Sequence, residues 1–223
     1  ATPAQIEETP RRGTESDCIS LVMQSLYDDR NFPATLSHHD RSTTMEQPGR
    51  EDRLNAWIAT ERAARARLGA SGTLELAQVA ALSPQEFFDR IGSGQLPCPP
   101  YGELVDFVPI EWSEGRFLFQ GTPDRRHYNP LGSVHGGYAA SLLDSCMGCA
   151  IHTRLQAGQG YTTTDLRISY LRALTDKVGP VRAEGRVVHL GRSTAVAEGR
   201  LYDVDDRLYA VGSTTCLVLH MAG

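Results

Sequence analysis

The stretch HYNPLGSVHGGYAASLLDS, residues 127–145, decides the fold of this chain. It starts with the turn NPLG, passes a His-Gly-Gly triplet and continues into an apolar run of Ala, Leu, Met and Cys. That run predicts one long buried helix over roughly residues 134–156. A single carboxylate, Asp144, lies in the middle of it. Because an isolated buried carboxylate is unfavourable unless a partner or a reaction uses it, Asp144 is the first candidate functional residue.

Strand patterns lie on both sides of this helix. Before it, LVDFVPIEW and RFLFQGTP flank a Glu-Gly turn and predict a hairpin. After it come four apolar segments: TTTDLRISYLR, GPVRAEGRVVHLG, STAVAEGRLYDV and RLYAVGSTTCLVL. The connections GRS and DD are short, which predicts antiparallel neighbours. We therefore predict an α+β domain in which a curved antiparallel sheet wraps one long central helix.

The composition changes near residue 100. Residues 1–50 are polar, with one short helix expected around CISLVMQSLYD, and residues 51–68 predict a helix. SPQEFFDRIG predicts another, with Ser83 as N-cap, Glu86 completing a capping box and a glycine as the stop. SGQLPCPPYG then looks like a linker. We divide the chain into a partly helical N-terminal extension, 1–95, and a domain, 96–223.

Charge and composition exclude several classes of protein. The 223 residues carry a formal net charge of −5, which argues against nonspecific binding to nucleic acid. No apolar run approaches the ~20 residues of a membrane span, and the N-terminus lacks the apolar core of a signal peptide. We therefore expect a cytoplasmic protein without membrane contact. Cys146 and Cys149 form a C-x-x-C, but no second pair completes a zinc site, so we expect core packing and no metal.

The start of the central helix is the second candidate. A helix N-terminus presents unpaired N–H groups, and Gly136 and Gly137 remove side-chain bulk there, so the pair suits an oxyanion or simply allows tight packing. Asp144 follows Gly137 by seven residues, on the same face but roughly 10 Å away at ~1.5 Å per residue. One substrate carbonyl is therefore not expected to touch both groups of one chain. If both act on one reaction centre, two subunits supply them.

Each of these residues also has a purely structural reading. Asp144 could be paired with an arginine or capped by hydroxyl groups. Asn129 could orient a neighbour or a water, or only begin the NPLG turn. His135 could orient the loop, donate a hydrogen bond, or only pack. The residues alone leave these alternatives open.

Taken together, the segments resemble a known family. HYNPLGSVHGGYAASLLDS, followed by TTTDLRISYLRA, GRVVHLGRS and LYAVGSTTCLV, is similar to the hotdog-fold acyl-CoA thioesterases of the phenylacetate-pathway (PaaI-like) type over roughly residues 100–219. The resemblance implies a hotdog fold, dimers joined through a continuous sheet, and often tetramers. It also implies hydrolysis of acyl-CoA thioesters without a metal, with coenzyme A present only as part of the substrate.

The resemblance also implies roles for individual residues. Asp144 matches the carboxylate that acts as general base or as nucleophile, and Gly137 or Gly136 matches the amide that polarises the thioester carbonyl. His135 and Asn129 match the supporting pair at the loop. Thr163, between two further threonines, matches a hydroxyl that positions water. In the family the acid and the glycine come from opposite subunits.

Substrate contacts are less specific. Coenzyme A carries phosphates, for which Arg is the natural partner, so Arg172 and Arg192 are candidates, although both could be solvated charges at strand ends. The acyl group is expected between the helix and the face formed by Leu166, Ile168 and Tyr170. Nothing in the resemblance explains residues 1–80.

Two rival functions stay open. A hotdog hydratase or dehydratase would act on the same kind of thioester, typically with a histidine and an acid. A non-enzymatic acyl-CoA-sensing regulator would place a DNA-binding module before the hotdog domain. Residues 1–100 hold 10 Arg against 14 Asp and Glu, whereas a DNA-binding arm should be basic. We prefer an extension that folds against the core and supports assembly.

Overall fold

The computed structural model describes residues 49–220, so the short helix expected around residues 18–28 lies outside the described residues. The helices are α1 (Arg50–Arg67), α2 (Leu76–Ala80), α3 (Pro84–Gly92), α4 (Pro100–Val105) and α5 (Gly136–His152). The strands are β1 (Phe107–Ser113), β2 (Arg116–Gly121), β3 (Gln159–Tyr170), β4 (Val181–Leu190), β5 (Thr194–Asp203) and β6 (Leu208–His220). The strands form one antiparallel sheet in the order β1-β2-β4-β5-β6-β3, which confirms the α+β prediction.

The central helix α5 is shorter than predicted. It begins at Gly136, because the His135 side chain caps its first turn, and it ends at His152. Nine of its residues are buried, and they face the sheet. Asp144 lies midway along this helix, as predicted.

The predicted linker was wrong at its C-terminal end. Residues 100–105 form α4, which starts with Pro100 at a position where proline needs no N–H. Asp106 ends that helix in the left-handed region, at φ 65°. The first strand consequently begins at Phe107 and not at Leu104.

A row of three glycines brings α5 close to the sheet. Gly185 on β4 pairs with Gly199 on β5, which pairs with Gly212 on β6. A Cβ atom at Gly185 would lie 2.3 Å from the Cys146 carbonyl oxygen of α5. At Gly199 it would lie 2.9 Å from the Met147 Cγ. Since real Cβ atoms do not approach so closely, the helix keeps this position only while Gly185 and Gly199 stay without side chains.

The N-terminal helices pack on both faces of the sheet. On the face away from α5, the Trp57 ring of α1 lies 4.0 Å from the Arg182 guanidinium, and Gln120 donates to the Trp57 carbonyl oxygen. On the α5 side, α3 begins with the predicted cap, in which the Ser83 hydroxyl accepts from the Glu86 amide. The Glu86 carboxylate accepts a hydrogen bond from Arg90. Residues 50–105 are thus integral to the packing of the sheet.

The outer face of the sheet carries one buried acid. Glu184 on β4 is 2% exposed and accepts hydrogen bonds from Arg116 (2.6 Å), Arg186 (2.6 Å) and Arg200 (2.9 Å). Burial by itself raises the pKa of Glu184, but the hydrogen bonds from Arg116 and Arg200 outweigh it and lower the pKa to about 2. The carboxylate is therefore ionised at neutral pH and holds three strands together.

We expect Gly185→Ala to destabilise the fold by about 3 kcal/mol or more, because its methyl group would meet helix backbone. The matched control is Gly212→Ala, whose Cβ would lie 3.0 Å from the Arg167 carbonyl oxygen and 3.5 Å from the mobile end of Met147. Its loss should be closer to about 1 kcal/mol. Urea unfolding measures both. Equal losses would contradict the close approach at Gly185.

We also expect Glu184→Gln to lower the unfolding free energy at pH 7 by about 3 kcal/mol, because three guanidinium groups lose their carboxylate. A depressed pKa stabilises the fold above the unfolded-state value of about 4.3. That stabilisation is lost as the pH falls toward about 2. The difference between wild type and variant should shrink over that interval, with the exposed Glu198→Gln as control. A pH-independent difference would argue against the ionised carboxylate.

Candidate functional site

The start of α5 is held by the chain itself. The Gly137 amide donates to His135 Nδ1 (2.8 Å), and the His135 amide donates to the His127 carbonyl oxygen (2.7 Å). The Gly137 amide is therefore already used inside the chain. Gly136 is the first residue of the helix, and the N–H group at that position has no carbonyl partner within a helix. Of the two glycines, Gly136 offers the amide that a ligand could use.

Asn129 orders the loop before this helix. Its side-chain oxygen accepts from the amides of Leu131 (2.9 Å) and Ser133 (3.3 Å), and its nitrogen donates to the Ser133 hydroxyl (3.1 Å). The structure thus places Asn129 in the turn that leads to His135. Its contacts are those of a residue that shapes the loop.

Asp144 is half-buried on α5, on the helix face that lines a cavity. The Thr163 hydroxyl of β3 donates to Asp144 Oδ1 over 3.0 Å. The neighbouring Thr164 hydroxyl donates instead to the Thr215 carbonyl oxygen, at a point where the β3–β6 register shifts. This bulge separates the two threonines, and it makes Thr163 the one whose side chain reaches the carboxylate.

The cavity beside Asp144 has a volume of about 330 Å³, within the usual range for small-molecule sites. Its walls are mostly aromatic and apolar. They come from α3 (Phe87, Phe88, Ile91), from the segment up to α4 (Cys98, Pro99, Tyr101, Gly102), from β1 and β2 (Phe107, Pro109, Phe117, Phe119), from α5 (Asp144, Ser145, Cys149, His152) and from Tyr161 of β3. An acid at the side of an aromatic cavity suits chemistry on an apolar substrate.

The helix start opens onto a different cavity. That second cavity, of about 320 Å³, is lined by His135, Gly137 and Ser141 among others. Tyr101 borders both cavities and its hydroxyl lies 2.6 Å from the Ser141 hydroxyl. Within one chain, Asp144 and Gly137 therefore face separate spaces, and Gly136 lines neither of these two cavities.

Strand β3 is an open sheet edge that links the two regions. Thr163, near one end, contacts Asp144. Tyr170, at the other end, donates from its hydroxyl to the Gly136 carbonyl oxygen (3.1 Å). Between them Leu166 is 36% exposed, and Tyr170 itself is 49% exposed. A long edge strand with exposed apolar side chains is typical of a surface that pairs with another strand.

Buried polar side chains of the cavity are neutral. Burial lowers the pKa of His152 to about 4, so its imidazole is uncharged at pH 7. Burial raises the pKa of Cys149 to about 12, so its thiol stays protonated. Cys149 lines the cavity while Cys146 is fully buried, as core packing of the C-x-x-C predicts. Asp144 is the cavity's acid.

Several predicted contacts lie elsewhere. Arg172 donates to the Leu208 carbonyl oxygen, and Arg192 is exposed in the turn between β4 and β5. Neither lines either of the two cavities. Leu166, Ile168 and Tyr170 do not line the cavity beside Asp144, and their role in binding the acyl group stays a prediction.

Sequence reasoning missed the aromatic wall from α3. Phe87, Phe88 and Ile91 have helical spacing, which indicates an apolar face. The pattern does not say what that face covers. His152, interpreted as a surface or packing residue, likewise gave no sign that it would reach a cavity.

Between residues 49 and 220, no helix is both long and apolar enough to cross a bilayer. Over the same range, no group of three or more His, Cys, Asp or Glu side chains could hold a metal ion.

Known proteins share this sequence pattern. The profile described as "Thioesterase superfamily" matches residues 131–210. A proofreading thioesterase, EntH of Cronobacter turicensis, is 32% identical over 109 residues, which cover 48% of this chain and 78% of the relative. The conserved protein PA5202 of Pseudomonas aeruginosa is 32% identical, with a TM-score of 0.52 over 55% of this chain and 95% of that one. A phenylacetic acid degradation-related protein of Ralstonia eutropha is 26% identical, with a TM-score of 0.54 over 59% and 98%.

Proposed function

The chain belongs to the thioesterase superfamily, and from that premise we propose that it hydrolyses acyl-CoA thioesters at a site that two protomers share. The predicted hotdog fold is confirmed, and the protein is a thioester hydrolase. The observation that carries the proposal is Asp144, held by the Thr163 hydroxyl at the side of an aromatic cavity. An acid in this setting can act directly on a thioester whose acyl group occupies the cavity.

The reaction needs only a base, water and an oxyanion site. Asp144 takes a proton from a water molecule while the oxygen of that water attacks the thioester carbonyl carbon. The tetrahedral oxyanion then collapses, the C–S bond breaks, and the thiolate of coenzyme A takes up the proton. In the alternative route, the Asp144 carboxylate attacks the carbonyl carbon and the thiolate of coenzyme A leaves. Water then hydrolyses the resulting mixed anhydride and supplies the proton that the thiolate takes up. Both routes balance without a metal or a further cofactor.

The oxyanion site in this proposal is the amide of Gly136. Its neighbour Gly137 already donates to His135, whereas the first helix position keeps a free donor at the positive end of the helix dipole. Asn129 and His135 support this amide by ordering the loop and capping the helix. Arg172 and Arg192 stay predictions for the phosphates of coenzyme A.

Pairing of two β3 edges would bring the acid and the glycine together. Thr163 marks the Asp144 end of β3 and Tyr170 marks the Gly136 end. An antiparallel twofold pairing centred between Leu166 and Arg167 sets Thr163 opposite Tyr170 of the partner subunit. Asp144 then lies beside the helix start of the other protomer. Because Asp144 lines a cavity that neither glycine borders, we propose a homodimer as the minimal active unit, with a tetramer as a further assembly.

One observation favours a second candidate, hydration of an enoyl thioester. His152 and Asp144 line the same cavity, and a histidine with an acid is the typical pair for that chemistry. The two residues are eight apart on α5, about 12 Å at ~1.5 Å per residue, so they do not form one acid–base pair. Loss of enoyl absorbance from crotonyl-CoA, without thiol release, would favour the hydratase.

We expect Asp144→Asn to reduce kcat for thiol release from acyl-CoA by about a hundredfold or more, because the base or nucleophile is lost. A colorimetric thiol assay over a panel of acyl-CoA substrates measures this. Asp52→Asn, which removes an exposed carboxylate in the first turn of α1, is the matched control and should stay active. Wild-type rates in Asp144→Asn, with its fold intact, would rule out the proposed site.

We expect mixed dimers to recover activity that each variant alone lacks. Gly136→Pro removes the proposed oxyanion donor at a helix position that tolerates proline, after a residue already in the extended region. Asp144→Asn removes the acid. Half of randomly mixed dimers pair the two variants, and each such dimer holds one intact site.

Unfolding and refolding an equimolar mixture should therefore restore about a quarter of wild-type thiol release. The control is each variant refolded alone. If the mixture stays as inactive as its parents although heterodimers form, the site lies within one protomer.

A further inference from the structure

We infer that helix α3 forms the far wall of the acyl site, so that Phe87 limits the length of the acyl group and the site accepts uncharged acyl groups only. This inference rests on the proposed function, because it assigns the acyl group to the cavity beside Asp144. It gives residues 84–92, which precede the region of family resemblance, a role in substrate selection.

The cavity runs along α5. Asp144, Ser145, Cys149 and His152 share the helix face that lines it. His152 is eight residues beyond Asp144, so the reacting end and the far end are about 12 Å apart at ~1.5 Å per residue. An acyl group whose carbonyl lies at Asp144 therefore extends along the helix toward His152.

Phe87 stands at that far end. Its ring centroid lies 5.2 Å from that of His152 and 5.2 Å from that of Phe88. Phe88 is buried and packs 4.7 Å from Phe117 in the core, whereas Phe87 is half-buried. Phe87 is therefore the wall residue that can change in size without opening the core. A medium-length acyl chain fits the distance, and a longer one meets this ring.

The charges of the residues that line the cavity restrict the acyl group in a second way. Among the described residues that line the cavity, Asp144 is the single acidic side chain, and no Lys or Arg is present. His152 cannot serve as a cation there, because burial keeps its imidazole neutral. A carboxylate at the end of the acyl group would be buried without a partner, which is strongly unfavourable.

The length limit is tested on the full chain with Phe87→Ala and Phe87→Trp. The readout is kcat/KM for thiol release from acetyl-, hexanoyl-, octanoyl-, decanoyl-, myristoyl- and palmitoyl-CoA. Wild-type kcat/KM should fall above a limiting acyl length. For the shortest substrate above that length, Phe87→Ala should raise kcat/KM by at least about tenfold, and Phe87→Trp should move the limit to shorter chains. Leu76→Ala, which removes a 56% exposed side chain of α2, is the matched control and should keep the wild-type profile.

The charge limit is tested with two acyl groups of equal length. Wild type should hydrolyse valeryl-CoA at least about a hundredfold more efficiently than glutaryl-CoA, which carries a carboxylate in place of the terminal methyl group. Comparable efficiencies for the two substrates would refute the uncharged site. Circular dichroism of each variant establishes that it is folded, and Phe87→Leu replaces Phe87→Ala if the alanine variant does not fold.

The two levels of the argument fail in different ways. If wild type hydrolyses acyl-CoA but both Phe87 variants keep its length profile, α3 is not the wall and the thioesterase proposal stands. If wild type releases no thiol from any substrate, the proposed function fails and takes this inference with it.

Discussion

The closeness of α5 to the sheet is the constraint on which the rest of the structure depends. It exists because Gly185, Gly199 and Gly212 are neighbours on three paired strands, where the helix backbone lies against Gly185 and the Met147 side chain lies against Gly199. A helix held by backbone contact has little freedom to rotate or slide. The positions of Asp144 and of the helix start are therefore fixed together, by residues that belong to neither.

Strand β3 converts this fixed helix into a site. It contacts the acid at Thr163 and the glycine end at Tyr170, and its edge is open. One strand thus contacts both ends of the part of α5 that runs from Gly136 to Asp144. In the proposed dimer, a twofold operation on that strand would exchange the two ends, so that a helix too long for a single reaction centre would serve two centres in a pair of chains.

The sequence predicted the individual helices and strands better than the contacts between them. Helical periodicity, the Ser83 cap and the short turns are local signals, and the corresponding helices and strands were found. The aromatic wall from α3 and the glycine row depend on contacts between distant segments, which local patterns do not encode. Thr163 could be separated from Thr164 only through the bulge in β3. The division of the chain between residues 95 and 96 stays a prediction.

An acid midway along an apolar helix is unfavourable for folding unless it has hydrogen-bond donors, and Thr163 supplies one. The remaining acceptor capacity of the carboxylate is what a water molecule can use. The aromatic rings around it exclude other donors, and they are also the core that joins α3 to the sheet. The rings that make the acid costly to bury are therefore the same rings that form the wall of the cavity beside it.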